Sequence, residues 1–576
     1  GTHISNYSIE SGAAVLNVAE LTSSPDTTFG QGTMVEALNE AGGRDVPLST
    51  HLTSQMAYLI SVYKYRPKIS EKLVELLKAE WDKLKGQKGM VKANARVMNS
   101  GAIRNVCIGT SAVISGAAQL TNGAVRSCSE DPAIVGDGVS ADSFVILEGA
   151  HVTGHAILNK SFVGQGARIG KQFSAENSLF FANAEGFHGE ACSIFAGPYS
   201  VTHHKSTLLI AAMYSFYNAG SGTNHSNHMY KLGPVHQGVL ERGCKTGSFS
   251  YLLLEAHLAP FCIVIGKHMA NLNIPDMPFS YISESGGKSH LTPAMNVITI
   301  GTIRDQEKWA SRDRRKTKRI ADIINPAVYS PYTVEKMVRG RDFLMKLYNE
   351  TPKDVETLNV GGALLARLLT KNSAKYYDMT ITRYLANLFF TKVGAELKTG
   401  KSWSEAVKAV KPSVKGEAEW VDLSGLLAPK SAAAAVLDSL EAGKYKSAAE
   451  FSDALTKLNA AYSENEWAYA YMRFATEAGV EMDALTQEKA LSVLEEWKTV
   501  SRKILNMTLA DAEKEFEDFA KISYGIDGTP ADAEADFKAV RGEKETNKVL
   551  VKLKSFVNGF MTEIDAISEL VKNVKK

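Results

Sequence analysis

Cysteine is scarce. Five residues, Cys107, Cys128, Cys192, Cys244 and Cys262, occur in a chain of 576. No two stand at a C-x-x-C spacing, and an odd number cannot all pair. That excludes a disulfide framework and a Cys-rich structural zinc site. It fits buried free thiols in a reducing compartment, so a cytoplasmic protein is expected. Long apolar runs are missing too. Leu208–Met213 is the longest candidate, far short of the roughly 18 residues that a membrane span needs. Charge is nearly balanced at +2, which gives no global attraction to nucleic acid or to a membrane surface. Histidine is absent after His290 and cysteine after Cys262, so chemistry that needs imidazole or thiol belongs to the first half. The opening Gly1-Thr-His-Ile has no Met, and Ile9, Val15 and Leu21 are already six apart. We therefore expect native sequence to precede it, with room for a signal peptide.

What is present is a period of six. After Ile9, Val15 and Leu21 it resumes near Ile103 with Ile108, Ile114 and Leu120, and then in a new frame at Val139, Val145, His151, Ile157, Val163 and Ile169. A third run holds Leu240, Thr246, Leu252, Leu258, Val264 and Ala270. Gly164 and Gly170 follow Val163 and Ile169, giving V-G-Q-G-A-R-I-G. One branched aliphatic per six residues, with small residues at the corners, predicts a parallel β-helix: each repeat makes a short strand and a turn, and stacked coils bury a continuous core. Residues 50–87 interrupt the pattern. Leu52, Met56, Leu59 and Ile60, and after Pro67 Leu73, Leu76, Leu77 and Trp81, have helical spacing, which predicts an inserted helical hairpin.

The [Ile/Val]-Gly-x-x-[small]-x pattern resembles the hexapeptide-repeat, LpxA-like superfamily. The wider context is similar to an uncharacterised bacterial family of that superfamily. The matching stretches are Glu36–Arg44, Phe195–Pro198, Val201–Thr207, Ser226–Pro234 and Gly301–Arg304, and the likeness covers roughly residues 1–345. The resemblance implies a left-handed helix and a homo-oligomer, often a trimer. It also implies one of three activities: acyl transfer to sugars or amines, the acetyltransferase half of a sugar nucleotidyltransferase, or metal-dependent carbonic anhydrase chemistry. It aligns no catalytic histidine to a single position here.

The candidate chemistry lies in residues 180–242. Six of the thirteen histidines are there, with a Gly-rich turn at Asn218–Asn224. Residues 180–238 do not keep the six-residue frame, which predicts an irregular functional excursion on a rigid support. Acyl transfer to a sugar, sugar phosphate or nucleotide sugar needs a base at neutral pH, and His203 and His204 are the candidates. Two adjacent residues on a strand face opposite sides, so at most one of them points at a given site. Lys205, Lys231, Arg242 and Lys245 are candidates to hold phosphates. Asn224, Asn227, His228 and His236 are further candidates to contact substrate, and Gly-rich backbone or Asn amides can meet an oxyanion. The donor would be acyl-CoA or an acyl-carrier thioester. Alternatively, His225-Ser-Asn-His228 has ligand spacing. With His236, or with His203 or His204, it makes three imidazoles for a divalent metal, with Glu190 as a carboxylate ligand or a partner to one. The third alternative is a non-catalytic oligomeric scaffold.

We expect the β-helix domain to occupy residues 1–311. The basic run at 312–319, RDRRKTKR, reads as a solvated helix start or linker, and residues 312–345 as linker and first helix. Residues 346–576 read as an α-helical domain without a chemical constellation, suited to oligomerisation or to a protein partner. In it Thr508 with Asp511 reads as a capping box. Val549, Leu553, Phe556, Phe560, Ile564, Ile567 and Val571 read as one buried stripe.

Overall fold

The computed structural model describes residues 2–229 and 232–574. The first half winds as a parallel β-solenoid of about 16 turns, and a helical region follows it. The stacking register gives the coil its length. Ser140 pairs with Ile157 and Ile157 with Ser174, while Arg168 pairs with Glu185. Each step is seventeen residues. The inward side chains of successive strands are Val152, Leu158 and Val163, then Ile169, Ala175 and Phe180, all buried in one core. They are spaced six, five and six, so a fixed period of six slips by one residue per coil. The slip corrects the expected frame. Ile9 and Ile157 are 44% and 56% exposed, His151 is only half-buried, and Val145 packs on the outside of the prism. Left-handed corners recur along the coils, at Gly154 and Gly166 with φ of 60° and 65° and also at residues such as Asn177 and Asn183. At Gly164 close approach is decisive instead: a Cβ there would lie 3.0 Å from the Phe180 carbonyl oxygen.

Between Thr22 and Gly89 the chain leaves the solenoid, and strand Ala14–Thr22 then pairs directly with Arg96–Ile108. The insertion holds a small antiparallel pair, Met34–Val35 with Val46–Pro47, and helices α1 (Ser54–Val62) and α2 (Pro67–Trp81). Thr53 caps α1 by accepting from the Met56 amide. The apolar faces of α1 and α2 cover outward residues of the coils, including Phe162, Phe181 and Phe195. Those rings form a ladder with centroids 5.3 and 5.0 Å apart. This second core stays separate from the prism interior.

The expected excursion at 180–238 is, for the most part, regular solenoid. Strands recur at Glu185–Phe187, Glu190–Cys192, Phe195–Ala196, Val201–Thr202, Leu208–Ile210 and Ala212–Tyr214. The frame vanishes from the sequence because inward positions there are Gly186, Ala191, Ala196 and Thr202. The ring of Phe173 fills the space above Gly186, where a Cβ would sit 3.2 Å from it. The turn after Thr202 adds two residues to a coil and the stretch between Ser226 and Gly238 adds more, and Asn224 still finds its neighbour at Tyr251.

After the final coils come α3 (Ile300–Ser311) and an extended strap. The strap carries the basic run, and it is neither a free linker nor a helix start. Arg314 donates from Nε to the Gly166 carbonyl and from Nη2 to the Asn183 carbonyl, each at 2.8 Å. The buried carboxylate of Asp322 accepts from the Ser54 amide of α1 and the Ala182 amide of a coil. α4 (Pro331–Glu350) begins at a capping box between Ser330 and Thr333. The region beyond is not wholly helical. Hairpin Thr357–Val360/Ala363–Ala366 joins the solenoid sheet through His290 and Leu364, and Trp420–Leu423 pairs with Leu426–Pro429. The remaining helices are α5 (Arg367–Leu397), α6 (Trp403–Ala409), α7 (Lys430–Glu441), α8 (Ala448–Ala460), α9 (Tyr462–Ala478), α10 (Gln487–Glu513), α11 (Pro530–Arg541) and α12 (Lys548–Asn573). The prism core runs on into them: Tyr377 of α5 donates to the Pro278 carbonyl, and Phe389 stacks on Phe474 of α9 at 4.2 Å.

Two local expectations change. Thr508 lies inside α10 and donates to the Ile504 carbonyl, and the cap of α10 is Thr486. Asp511 instead accepts from the Ile300 amide at the start of α3. In α12, Leu550 and Val557 are buried, while Val549 and Phe556 are 54% and 47% exposed.

Candidate functional site

The histidines of residues 180–242 do not converge. His225 points into the prism, between the Leu209 and Leu252 levels, and is 1% exposed. Burial lowers its pKa to about 4, against some help from the Ile210 backbone, so the ring is neutral at pH 7. His228 is exposed and lies 3.9 Å from Glu40, and His236 lies 3.5 Å from Glu255. Among the described residues no group of three or more His, Cys, Asp or Glu side chains is placed to hold a metal ion. The expected triad of His225, His228 and His236 therefore does not form. Glu190 is exposed on its strand.

His203 and His204 follow the end of strand Val201–Thr202 rather than lie on it, so the expected strand alternation does not apply to them, and both are exposed, as is Lys205. His203 Nε2 meets Glu185, which also binds Arg314 of the strap. Burial alone would raise the Glu185 carboxyl, but His203 and Arg314 outweigh it and hold the carboxyl at about 2. The His203 ring leans on Phe187, with centroids 5.4 Å apart, and stays 43% exposed. Asn227 is buried and donates to Glu40. Asn224 sits half-buried in its strand. Lys231 lies outside the described residues.

Arg242 is held by groups of the protein itself. It is 1% exposed, its Nε lies 3.2 Å from Asp422, its Nη2 donates to the Asn325 carbonyl, and it stacks on Phe216 at 4.8 Å. Burial raises the Asp422 carboxyl despite that guanidinium. This buried pair joins the solenoid to the hairpin at 420–429, and it forms one wall of a cavity.

The cavity, about 380 Å³, lies where the solenoid, α1, α4 and that hairpin meet. Its centre is Glu241. The Glu241 carboxylate accepts from Lys336 Nζ at 3.0 Å and from the Tyr332 hydroxyl. His257 Nε2 is 2.8 Å from the same carboxylate. Burial pushes the Glu241 carboxyl up, but Lys336, His257 and Tyr332 together bring it below its ordinary value. Glu241 is thus a carboxylate, which only accepts. It holds the proton of a neutral His257 ring on Nε2 and leaves Nδ1 as the basic nitrogen. Lys336 is fixed further by the Pro275 carbonyl at 2.8 Å. Next to it on α4, Glu335 binds Arg473 and Tyr469 of α9. The wall containing His257 is shared with a second recess of about 570 Å³, lined also by His236, Glu255, Asn271 and Asn273.

Sequence reasoning missed Glu241, His257, Tyr332, Lys336 and Asp422. The available signal was faint. Glu241 follows the inward Leu240 and His257 precedes the inward Leu258, so neighbouring coils present both outward on one face. Tyr332 and Lys336 are four apart on a helix. Nothing in the sequence joins the two pairs.

Residues 1–348 match the family described as a domain of unknown function, DUF4954. Residues 402–570 match another domain of unknown function, DUF6819. An uncharacterized protein of Treponema pallidum (strain Nichols) is 23% identical over 530 residues, which cover 84% of this chain and 71% of that protein.

Proposed function

Because the chain belongs to the DUF4954 family, a domain of unknown function, we propose its reaction from the site: acyl transfer from a thioester, either acyl-CoA or an acyl carrier, to a hydroxyl or amine of a sugar, sugar phosphate or nucleotide sugar. The observation that carries this reading is the His257–Glu241 pair at 2.8 Å, facing a cavity on one side and a polar recess on the other. His257 Nδ1 takes the proton of the acceptor as its oxygen or nitrogen bonds to the acyl carbon. The carbon–sulfur bond breaks, and the same proton passes to the leaving thiolate, so the donor departs as a thiol. Glu241 orients the ring and stabilises the imidazolium, and Lys336 and Tyr332 hold Glu241 in place.

The test is thiol release from a panel of acyl-CoA donors with sugar and nucleotide-sugar acceptors. His257→Gln is expected to lower kcat by about 100-fold or more, the usual contribution of a general base, with melting temperature retained. Thiol release unchanged in His257→Gln would overturn the assignment of the base, and none from the native protein with any donor would overturn the transfer itself. A second reading keeps the reaction and moves the base to His203, because that ring is also paired with a carboxylate. It requires His203→Gln, rather than His257→Gln, to lose the activity. The left-handed hexapeptide coil and the trimer implied by the resemblance form part of the proposal. Light scattering at three times the 62.5 kDa chain mass would support the trimer.

A further inference from the structure

A cleft of about 720 Å³ opens between the solenoid, α3 and the start of α12. It shares no lining residue with the Glu241 cavity. Six of its lining side chains are cations: Lys245, Arg304, Lys308, Arg312, Lys548 and Lys552. Its carboxylates are Asp305 and Glu307. Asp305 is buried and engaged by Lys245, with Lys308 at 3.9 Å. Glu307 is 2.9 Å from Lys552. Each carboxylate is therefore occupied, and four positive charges remain in excess.

The cations stand close enough to oppose one another's charge. Burial, and after it the neighbouring Lys245, Arg312 and Arg304, lowers the Lys308 ammonium even though Asp305 opposes the shift. Clustered like charges at a concave surface raise the local concentration of the opposite charge. A site of this volume is of the size that takes a nucleotide-sized molecule rather than one small ion. Its remaining wall is Asn218, Gly301, Ser311 and Val549, with no aromatic ring against which a base would stack.

We propose that this cleft binds a small molecule carrying a chain of two or more phosphates, and that it reads the phosphates rather than any base. The proposal does not depend on acyl transfer at His257. Guanidinium and ammonium groups from three separate elements converge on adjacent phosphate oxygens, where charge-assisted hydrogen bonds are strongest. In this cleft Lys245 works with α3 and α12 rather than with Lys205 or Arg242.

Calorimetric titration of the full chain with sodium tripolyphosphate, ATP and inorganic phosphate tests it. Tripolyphosphate and ATP are expected to bind within about threefold of each other, and inorganic phosphate about tenfold or more weakly, since fewer charge-assisted bonds form. Added sodium chloride at about 0.5 M is expected to weaken the first two roughly tenfold through screening. The Arg304→Gln/Lys548→Gln double variant is expected to lose about 100-fold in affinity as two such contacts go, while melting at the same or a higher temperature without ligand because repulsion is relieved. Lys346→Gln, on the far part of α4, is expected to bind as the native protein does. If the double variant fails to fold, Arg312→Gln alone carries the same test with a loss of about tenfold. No binding heat with tripolyphosphate at millimolar concentration, native affinity in the cleft variants, or ATP bound far more tightly than tripolyphosphate would each overturn the proposal.

Discussion

Lys336 and Glu241 show how a single buried pair constrains this protein. Both side chains are 9% exposed and their charges are 3.0 Å apart. Removing Lys336 takes the ammonium from a buried carboxylate and leaves Glu241 with His257 and Tyr332 alone. Lys336→Met is therefore expected to destabilise the fold by about 3–5 kcal/mol, measured as a denaturant midpoint. The pH dependence follows from the same pair. The folded Glu241 carboxyl lies below its ordinary value, so ionised Glu241 adds stability above the ordinary carboxylate range. That stability is lost as pH falls through the folded value. Melting curves of Glu241→Gln and the native protein should differ near neutrality and draw together on acidification; a constant difference across that range would contradict the assignment. None of this was legible in the sequence, where Glu241 and Lys336 are two ordinary charged residues. The alternation expected at His203 and His204 has no strand to act on, because the strand ends at Thr202 and the turn after it carries both rings.

At the scale of the element, the coil explains both the success and the failure of pattern reading. A repeat near six was visible because inward positions such as Ile108, Ile114, Leu120, Val163 and Ile169 are branched aliphatics. The frame drifted because the coil holds seventeen residues. It disappeared across 180–238 because packing there is shared between small inward residues and large neighbours such as Phe173 and Tyr214. Helical phase was blurred for a related reason. In α12 the buried stripe is Leu550, Leu553, Val557, Ile564, Ile567 and Val571, so the expected face is right along most of the helix and off by one residue at 549 and 556. The outer ladder of Phe162, Phe181 and Phe195 is the element whose packing joins coil to insertion. Phe181→Ala at its centre is expected to cost about 3–5 kcal/mol, read as a fall in melting temperature, because the rings on either side cannot close the gap without moving a coil. A change under about 1 kcal/mol would mean that the insertion repacks.

At the scale of the whole molecule, the insertion, the strap and the C-terminal region all fold back on the solenoid. Asp322 ties strap, α1 and coil together through two backbone amides, and Gln55 of α1 donates to the Ser424 carbonyl of the second hairpin. The prism core continues without a break from Leu258, Phe261 and Ile282 into Val334, Met337, Tyr377 and Phe389. A chain ending at residue 350 would expose that surface. It is expected to bind a hydrophobic dye or to aggregate, where the full chain does neither. A soluble, dye-silent fragment with the native strand content would show instead that the solenoid closes its own end.

Taken by itself, the sequence determined the parallel coil, the inserted pair of helices near residues 50–87 and the mainly helical character beyond residue 334. Each of these depends on contacts between residues close in the chain, or on a repeat that copies one local solution many times. Tertiary structure alone decided the candidate site. Glu241 and His257 come from adjacent coils, Tyr332 and Lys336 from α4, Tyr58 from the insertion and Asp422 from a distant hairpin. Their meeting depends on how four parts of the chain dock, and docking leaves no period in a sequence. The basic cleft is decided in the same way, by α3 and α12 closing on Lys245.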